Sequence, residues 1–147
     1  VNVVTKMKET GALIGGEGNG GVIYPELHYG RDALVGIALF LTLLAKSGKK
    51  VSELRATYPN YAMSKQRVDL PSDVDAGALL ERLAKEYSDK GDINLIDGVK
   101  IDLPTEWVHV RRSNTEPIIR IYTEALTAEE AQRLADEFKA VLLSYLN

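Results

Sequence analysis

The longest run of apolar positions spans residues 33–45 and predicts a helix. Asp32 stands directly before this run and is a typical N-cap residue, while Gly48 follows it and favours helix termination. The run is 13 residues long, whereas a membrane-spanning helix needs roughly 20. We therefore expect a buried core helix rather than a membrane span.

The pattern becomes strongly amphipathic beyond residues 62–64, where we place a domain boundary. Helical spacing there predicts two helices, one capped by Asp73 or Asp75 and one opened by Thr127 and Glu130 in capping-box spacing. Four strand candidates complete this part of the chain, at residues 93–96, 99–103, 107–111 and 118–123.

This order of elements predicts an α+β fold. We expect residues 1–62 to be the end of an α/β domain, and residues 63–147 to form a four-stranded antiparallel sheet covered by two helices. Asp97 and Gly98 separate the first two strand candidates and predict a two-residue hairpin turn.

Composition narrows the function classes. The 147 residues carry a net charge of -3, with a sequence pI near 5.4, so no global basic field attracts nucleic acid or acidic lipid. Zero cysteines exclude disulfides, thiolate catalysis and cysteine-ligated metals, which is consistent with a cytoplasmic location. His28 and His109 lie in no metal-ligand spacing, and we expect no metal site in this chain.

A glycine-rich loop occupies residues 15–21 and formally contains the G-x-G-x-x-G pattern. The pattern is not a dinucleotide fingerprint, because a strand-like run stopped by Pro25 follows it instead of a helix. The loop places the Glu17 carboxylate and the Asn19 amide among small residues, where they could bind sugar hydroxyls. A tight turn that uses glycine for backbone geometry alone is the alternative.

A second loop, at residues 111–117, is rich in hydrogen-bond donors. These donors suit a phosphate dianion, because a guanidinium group matches two phosphate oxygens and hydroxyl groups can bond to the remaining ones. The alternative is a solvated hairpin end whose arginines pair with Glu116 and Glu124. Strand alternation sends the first two arginines in different directions, so we expect only one of them to face a ligand. The candidate residues are Arg111, Arg112, Ser113, Asn114, Thr115 and Arg120.

Together the two loops resemble the α-D-phosphohexomutase superfamily, which comprises phosphoglucomutases, phosphomannomutases and phosphoglucosamine mutases. Residues 16–21 resemble the Gly-Glu-x-Ser-Gly-His loop that contacts sugar hydroxyls on the third domain, with Asn19 at the serine position and Gly21 at the histidine position. Residues 111–117 match the Arg-x-Ser-Asn/Gly-Thr-x-Pro loop that grips the substrate phosphate on the fourth domain, and this pattern selects Arg111 over Arg112.

The resemblance implies that residues 1–62 end the third domain and residues 63–147 form the fourth. It implies sugar binding by Glu17 and Asn19, and phosphate binding by the residues that match the second loop, with possible support from a later arginine. The phosphate-binding residues implied are Arg111, Ser113, Asn114 and Thr115, and the supporting residue is Arg120.

The activity implied is interconversion of hexose 6-phosphate and hexose 1-phosphate through a phosphoserine, a hexose 1,6-bisphosphate intermediate and Mg²⁺. The catalytic serine loop and the Asp-Gly-Asp metal loop of the family are absent from these residues, so we expect a C-terminal portion that recognises a phosphosugar alongside upstream domains of the same polypeptide. The glycine-rich sugar loop inclines the resemblance toward glucosamine phosphate. A phosphosugar-binding module without catalysis explains the same loops, whereas the acidic pI disfavours a nucleic-acid-binding domain.

Overall fold

A computed structural model describes residues 2–18 and 20–146. The chain divides into two compact units, residues 1–59 and residues 60–147. The family resemblance had placed the boundary at residues 62–63, and three residues separate the two positions. Within the described residues, no helix is both long and apolar enough to cross a membrane.

The first unit is a small β-hairpin with three helices. Its elements are α1 (Asn2–Thr10), β1 (Gly15–Gly16), β2 (Val22–Ile23), α2 (Ala33–Ser47) and α3 (Val51–Arg55). β1 and β2 pair antiparallel, and the strand on the amino side is formed by the glycines themselves rather than by the apolar residues before them. Helix α1 packs closely against Gly15, because a Cβ at this position would lie 2.2 Å from the Met7 sulfur.

Helix α2 forms as predicted, but its predicted burial is wrong for this chain. The Asp32 side chain accepts a hydrogen bond from the Val35 amide and caps the helix, and Gly48 ends it in the left-handed conformation with a φ of 64°. None of the helix's residues is buried, and Leu34 is 78% exposed. The physical reason is that the main packing partner of α2 in this unit is β2, a two-residue strand that is too small to cover an apolar helix on several sides.

The second unit is a five-stranded antiparallel sheet covered on one face by two helices. Its elements are β3 (Ala62–Asp69), α4 (Ala76–Glu86), β4 (Asp92–Asn94), β5 (Val99–Asp102), β6 (Trp107–Arg112), β7 (Ile118–Ala125) and α5 (Ala128–Ser144). The strand order is β3-β7-β6-β5-β4. The α+β class and the two covering helices are confirmed, and the strand count is corrected from four to five. The added strand is β3, which pairs along its whole length with β7.

The core lies between the sheet and the two helices. Side chains at alternate strand positions, such as Val108, Val110, Ile119 and Ile121, are fully buried against α4 and α5. Thr123 is the exception to this apolar pattern, and its hydroxyl donates a 2.6 Å hydrogen bond to the Ala131 carbonyl at the start of α5. The intervening positions on β3, β6 and β7 therefore face away from the helices, on what we call the open face of the sheet.

The helix caps of this unit match the sequence pattern. Asp75 caps α4 by accepting from the Gly77 amide, and Thr127 with Glu130 forms the predicted capping box of α5. The predicted two-residue turn at Asp97 and Gly98 is wrong, since residues 95–98 all lie between the two strands. Gly98 nevertheless takes the positive φ that the turn chemistry predicted, at 79°.

Candidate functional site: a cationic pocket at the end of the sheet

A cavity of about 200 Å³ lies where β6 ends and β7 begins. This volume is below the roughly 300–1,000 Å³ typical of sites for drug-sized ligands, and it suits a single small anionic group. All the donor-rich loop residues that the sequence indicates line it, and three of them, Arg112, Asn114 and Thr115, are exposed. The lining residues are Arg111, Arg112, Ser113, Asn114, Thr115 and Arg120.

The loop at the cavity is shaped by its own backbone. The Ser113 amide donates to the Ile118 carbonyl at 2.9 Å, and the Ile118 amide donates to the Glu116 carbonyl at 2.8 Å. The Pro117 carbonyl accepts from Leu70 at 2.8 Å, which joins the loop to the end of β3. These bonds close the loop into a compact turn, so its donors are held at one end of the sheet.

Arg111 lies on the open face of the sheet and is held from two sides. Its Nη1 donates to Asp97 Oδ2 at 2.9 Å, and its guanidinium carbon lies 5.7 Å from the centre of the Tyr122 ring. Gly98 approaches it closely, because a Cβ at that position would lie 2.8 Å from the Arg111 Cβ. The β4–β5 turn therefore forms one wall of the Arg111 site.

Arg120 lies directly opposite Arg111 in the β6–β7 register. Its Nη2 donates to Glu116 Oε2 at 3.1 Å. The alternative of a solvated hairpin end predicted an arginine pair with Glu116, and that pair is present. The predicted partner Glu124 instead accepts a 3.0 Å hydrogen bond from the Trp107 indole.

Electrostatics at this site favour retained positive charge. Hydrogen bonding to Tyr122, and then to Asp97, raises the pKa of Arg111 despite partial burial. Burial acts to raise the pKa of Tyr122, but hydrogen bonding and charge from Arg111 and Arg120 outweigh it and lower that pKa below 10. A negative charge placed between the two arginines is therefore stabilised.

Both arginines at the end of β6 line the cavity. Strand alternation had predicted that Arg111 and Arg112 point in different directions, with only one facing a ligand. Arg112 is the last residue of β6 and is exposed, whereas the Arg111 side chain is held by Asp97 and lies near the Tyr122 ring. The structure thus presents two arginines of the motif to the cavity, with Arg111 the better anchored.

The glycine-rich loop lies in the first unit. The Glu17 amide donates to the Gly21 carbonyl and the Gly20 amide donates to the Glu17 carbonyl, each at 3.0 Å, so the loop closes tightly. The Glu17 carboxylate lies 3.7 Å from an Arg31 guanidinium nitrogen and is about one-third exposed. Asn19, the other predicted sugar-binding residue, lies outside the described residues.

The two histidines make local hydrogen-bond contacts. His28 Nε2 lies 3.2 Å from Asp32 Oδ2, beside the cap of α2, and His109 Nε2 contacts the Asp97 carbonyl oxygen. No group of three or more histidine and acidic side chains comes together as a metal site within residues 2–18 and 20–146. The Mg²⁺ that the family resemblance implies has no such ligand group among the described residues.

Sequence reasoning missed two residues of the site, Asp97 and Tyr122. Asp97 is 14 positions from Arg111 and had been assigned only to a turn. Tyr122 follows Arg120 at the two-residue spacing of a strand face, and that spacing is the signal that could have placed it beside the arginines. Both lie outside the 111–117 motif and contact Arg111.

The fold and the pocket define a two-unit protein with a cationic pocket on its α+β unit. Residues 1–61 match the model of the phosphoglucomutase/phosphomannomutase α/β/α domain III, and residues 63–141 match that of the family's C-terminal domain. The chain belongs to the phosphoglucomutase/phosphomannomutase family, within the α-D-phosphohexomutase superfamily.

Named relatives agree with this family. The chain is 41% identical over 131 residues to a phosphoglucomutase/phosphomannomutase of Thermococcus kodakarensis, covering 88% of this chain and 28% of that protein. It is 37% identical over 143 residues to a phosphoglucosamine/phosphogalactosamine mutase of Sulfurisphaera tokodaii, covering 97% and 31%. The chain thus spans about 30% of the length of the curated relatives it matches.

A solved structure shows the same fold. It is a phosphoglucomutase/phosphomannomutase family protein from Burkholderia thailandensis, with 28% sequence identity and a TM-score of 0.71. The match covers 97% of this chain and 30% of that one. The similarity therefore extends over both units of the chain.

Proposed function

We propose that residues 1–147 are the substrate-recognition part of a phosphohexomutase, which interconverts hexose 6-phosphate and hexose 1-phosphate. The observation that carries this proposal is the set of donors around the 200 Å³ cavity, where three arginines meet the side chains of the 113–115 loop. Family membership supports the reaction class.

The cavity residues would bind the phosphate group of the sugar. Arg111 and Arg120, opposed in the sheet, can each direct N–H donors to different phosphate oxygens. Ser113 and Thr115, whose hydroxyl oxygens lie 3.4 Å apart, can donate to the remaining lone pairs. Asn114 would contribute its amide, and Arg112 would add long-range attraction.

This kind of anchor suits a reaction in which the substrate turns around. In the proposed reaction a phosphoserine donates to the free hydroxyl, giving hexose 1,6-bisphosphate, which must then present its other phosphate to the same serine. The anchor must therefore accept either phosphate in turn. A cluster of guanidinium and hydroxyl donors recognises the charge and shape of a phosphate without reading its position on the ring.

The glycine-rich loop would recognise the sugar hydroxyls. Glu17 is the carboxylate that would accept hydrogen bonds from them, with the Asn19 amide beside it in sequence. Glycine at neighbouring positions lets a ligand approach the backbone, which supports this role. We include glucosamine phosphate as the preferred sugar in this proposal, on the resemblance of the loop.

Other domains of the same polypeptide would supply the phosphoserine and the Mg²⁺ ligands in this proposal, since this chain covers about 30% of its relatives. Mg²⁺, when bound there, would stabilise charge on the transferring phosphoryl group. The cytoplasm is the proposed location, because a cysteine-free chain is consistent with it.

Calorimetric titration of the 147-residue chain with hexose 6-phosphates tests the recognition role. We expect glucosamine, glucose and mannose 6-phosphates to bind and the unphosphorylated sugars to give no heat. Arg111→Ala should abolish most of the signal, whereas Arg133→Ala, on α5 away from the cavity, should leave it intact. Equal binding by the two variants would contradict the proposed anchor.

A phosphosugar-binding module without catalysis is the second candidate. It rests on the same cavity and predicts the same titration. The two differ in the coding sequence before Val1: a mutase requires a serine nucleophile loop and an Asp-Gly-Asp segment there, and a binding module does not.

A further inference from the structure

We propose that Tyr122 is a positioning residue of the phosphate anchor: its ring and hydroxyl hold Arg111 and Arg120 side by side for one anion. This inference rests on the proposed function, because it assigns Arg111 and Arg120 to phosphate. It adds a residue that lies outside the 111–117 motif and does not line the phosphate cavity.

The first observation is the register of the sheet. Arg111 and Arg120 occupy directly opposed positions on β6 and β7, and Arg67 on β3 is opposed to Arg120 on its other side. Directly opposed like charges destabilise a strand pair, so this row of arginines needs compensation. Each arginine has one carboxylate beside it: Asp97 for Arg111, Glu116 for Arg120 and Asp69 for Arg67.

Those carboxylates lie outside the pair and cannot hold the two guanidinium groups together. Asp97 comes from the β4–β5 turn and Glu116 from the loop before β7, so they draw the two arginines toward different elements. Tyr122 lies one strand-face position beyond Arg120 and lines the same open-face groove, and its ring centre is 5.7 Å from the Arg111 guanidinium carbon. Tyr122 is therefore placed to link Arg111 to Arg120.

The surroundings of Tyr122 support this role. Its ring centre lies 5.7 Å from the Arg111 guanidinium carbon and 5.9 Å from the Lys65 Nζ, which are cation–π distances. A groove of about 310 Å³ on the open face is lined by Tyr122 and Arg120, next to the phosphate cavity. The charged or titratable groups around it are His109 and Arg111 on β6, Lys65 and Arg67 on β3, Arg120 and Glu124 on β7, and Glu116 in the loop.

Burial acts to raise the pKa of Tyr122, but Arg111 and Arg120 outweigh it and lower that pKa. A bound phosphate would share the two arginines with the phenol and raise the pKa of Tyr122 again. By linkage, ionisation of Tyr122 must weaken phosphate binding, because the phenolate competes for the same two cations. This reciprocal effect distinguishes a positioning residue from one that only packs.

The test compares Tyr122→Phe with wild type in the full 147-residue chain, using inorganic phosphate as the probe. Tyr145→Phe is the matched control, because it also removes one tyrosine hydroxyl that bonds to a charged side chain, Glu86, at 2.6 Å. Tyr145 lines neither the cavity nor the groove. We expect Tyr122→Phe to weaken phosphate binding about three- to tenfold, the loss typical of one ordinary hydrogen bond, because the hydroxyl acts on the anion only through the arginines. Tyr145→Phe should bind as wild type does.

The second readout is a spectroscopic titration of tyrosine ionisation, run with and without phosphate above about pH 8, where phosphate is a dianion. The curve for Tyr122 is obtained by subtracting Tyr122→Phe from wild type. Burial and Glu86 raise the pKa of Tyr145, so its titration is displaced in the opposite direction from that of Tyr122. We expect phosphate to raise the pKa of Tyr122, and wild-type affinity to fall as pH rises through it while Tyr122→Phe affinity does not. The inference would be overturned if phosphate did not change the pKa of Tyr122, or if wild type and Tyr122→Phe bound phosphate equally well at every pH.

If wild type does not bind phosphate, the proposed function fails, and the Tyr122 role is decided on the ligand-free chain. The measurement is then the NMR signal of the Arg111 and Arg120 Nε–H groups. Positioning predicts that Tyr122→Phe shifts both signals and speeds their exchange, while Tyr145→Phe leaves them in place. Unchanged signals in Tyr122→Phe would reject the role.

Discussion

Arg111 and Arg120 lie directly opposite each other on neighbouring strands, although both side chains carry positive charge. Two like charges directly opposite each other destabilise a strand pair, and neutral residues at these positions would avoid that cost. The cost is reduced by Asp97 at 2.9 Å and Glu116 at 3.1 Å, but exposed ion pairs contribute at most about 1 kcal/mol each. The arrangement is explained if an anion occupies the cavity and binds both arginines.

The first prediction compares the two arginines at the end of β6. Arg111→Ala should weaken hexose-phosphate binding about tenfold to a hundredfold, because it removes charge-assisted hydrogen bonds from the anchored residue. Arg112→Ala should have a smaller effect that disappears at high salt, because this exposed side chain acts mainly through screened attraction. Calorimetric titration at low and high salt measures both. Arg67→Ala is the control for loss of one positive charge from the open face. Equal losses of affinity in Arg111→Ala and Arg112→Ala would contradict the larger role of Arg111.

A second prediction concerns Asp97, the carboxylate beside Arg111. Asp97→Asn should strengthen phosphate binding about two- to fivefold at low salt, because it removes a negative charge that competes for Arg111. The free energy of unfolding should fall by less than about 1 kcal/mol, since the pair is exposed. Asp69→Asn, which removes the carboxylate beside Arg67, is the matched control and should leave affinity near wild type. Weaker binding in Asp97→Asn would show that the carboxylate orients Arg111 instead.

Local sequence signals predicted much of the second unit. The capping box at Thr127 and Glu130, and the apolar stripe that follows it, lie within one helix and need no knowledge of the rest of the chain. The donor-rich 111–115 loop could likewise be assigned, because its candidate residues are close in sequence and line one cavity.

Two features could not be read from local pattern, for different reasons. β3 lacks a clear apolar alternation, because Ser64 and Gln66 on its helix-facing side hydrogen-bond to α5 instead of entering the core. Its place in the sheet depends on pairing with β7, more than 50 positions away by the Gln66↔Ile121 register. The Arg111–Asp97 pair likewise exists only because β5 and β6 bring the turn beside the strand end.

Gly98 gives a third prediction, on the turn that contacts Arg111. A Cβ at Gly98 would lie 2.4 Å from the Val110 carbonyl oxygen, and the residue has a φ of 79°. Gly98→Ala should therefore destabilise the second unit by more than the roughly 1 kcal/mol expected from positive φ alone, and should weaken phosphate binding by displacing Arg111. Gly48→Ala is the matched control, because Gly48 has a φ of 64° with no atom within 4 Å of the added Cβ. Denaturant unfolding and phosphate titration of both variants measure the difference, and similar losses would remove the steric argument.

The fourth prediction is that the chain alone does not interconvert hexose 1- and 6-phosphates. In the proposed function the serine nucleophile and the Mg²⁺ ligands belong to other domains, and the described part of the chain brings together no group of three or more acidic and histidine side chains that could hold a metal. A coupled assay with Mg²⁺ and hexose 1,6-bisphosphate should give the rate of a no-protein control. A rate well above that control would contradict the recognition-only role, whereas binding without turnover would support it.

The last prediction is that the second unit folds without the first. Residues 60–147 contain the whole five-stranded sheet, both covering helices and their core. A chain of these residues should therefore be folded by circular dichroism, and its amides should be protected from exchange as they are in the full chain. A chain that begins at Lys65 removes residues 62–64, which pair with residues 123–125 at one end of β7, and those pairs include Ser64, whose hydroxyl bonds to Gln132 at 3.0 Å. We expect the shorter chain to unfold at lower denaturant concentration, with lost protection at residues 123–125 first. Equal stability of the two chains would show that this end of β3 contributes nothing, and an unfolded 60–147 chain would show that the sheet depends on the first unit.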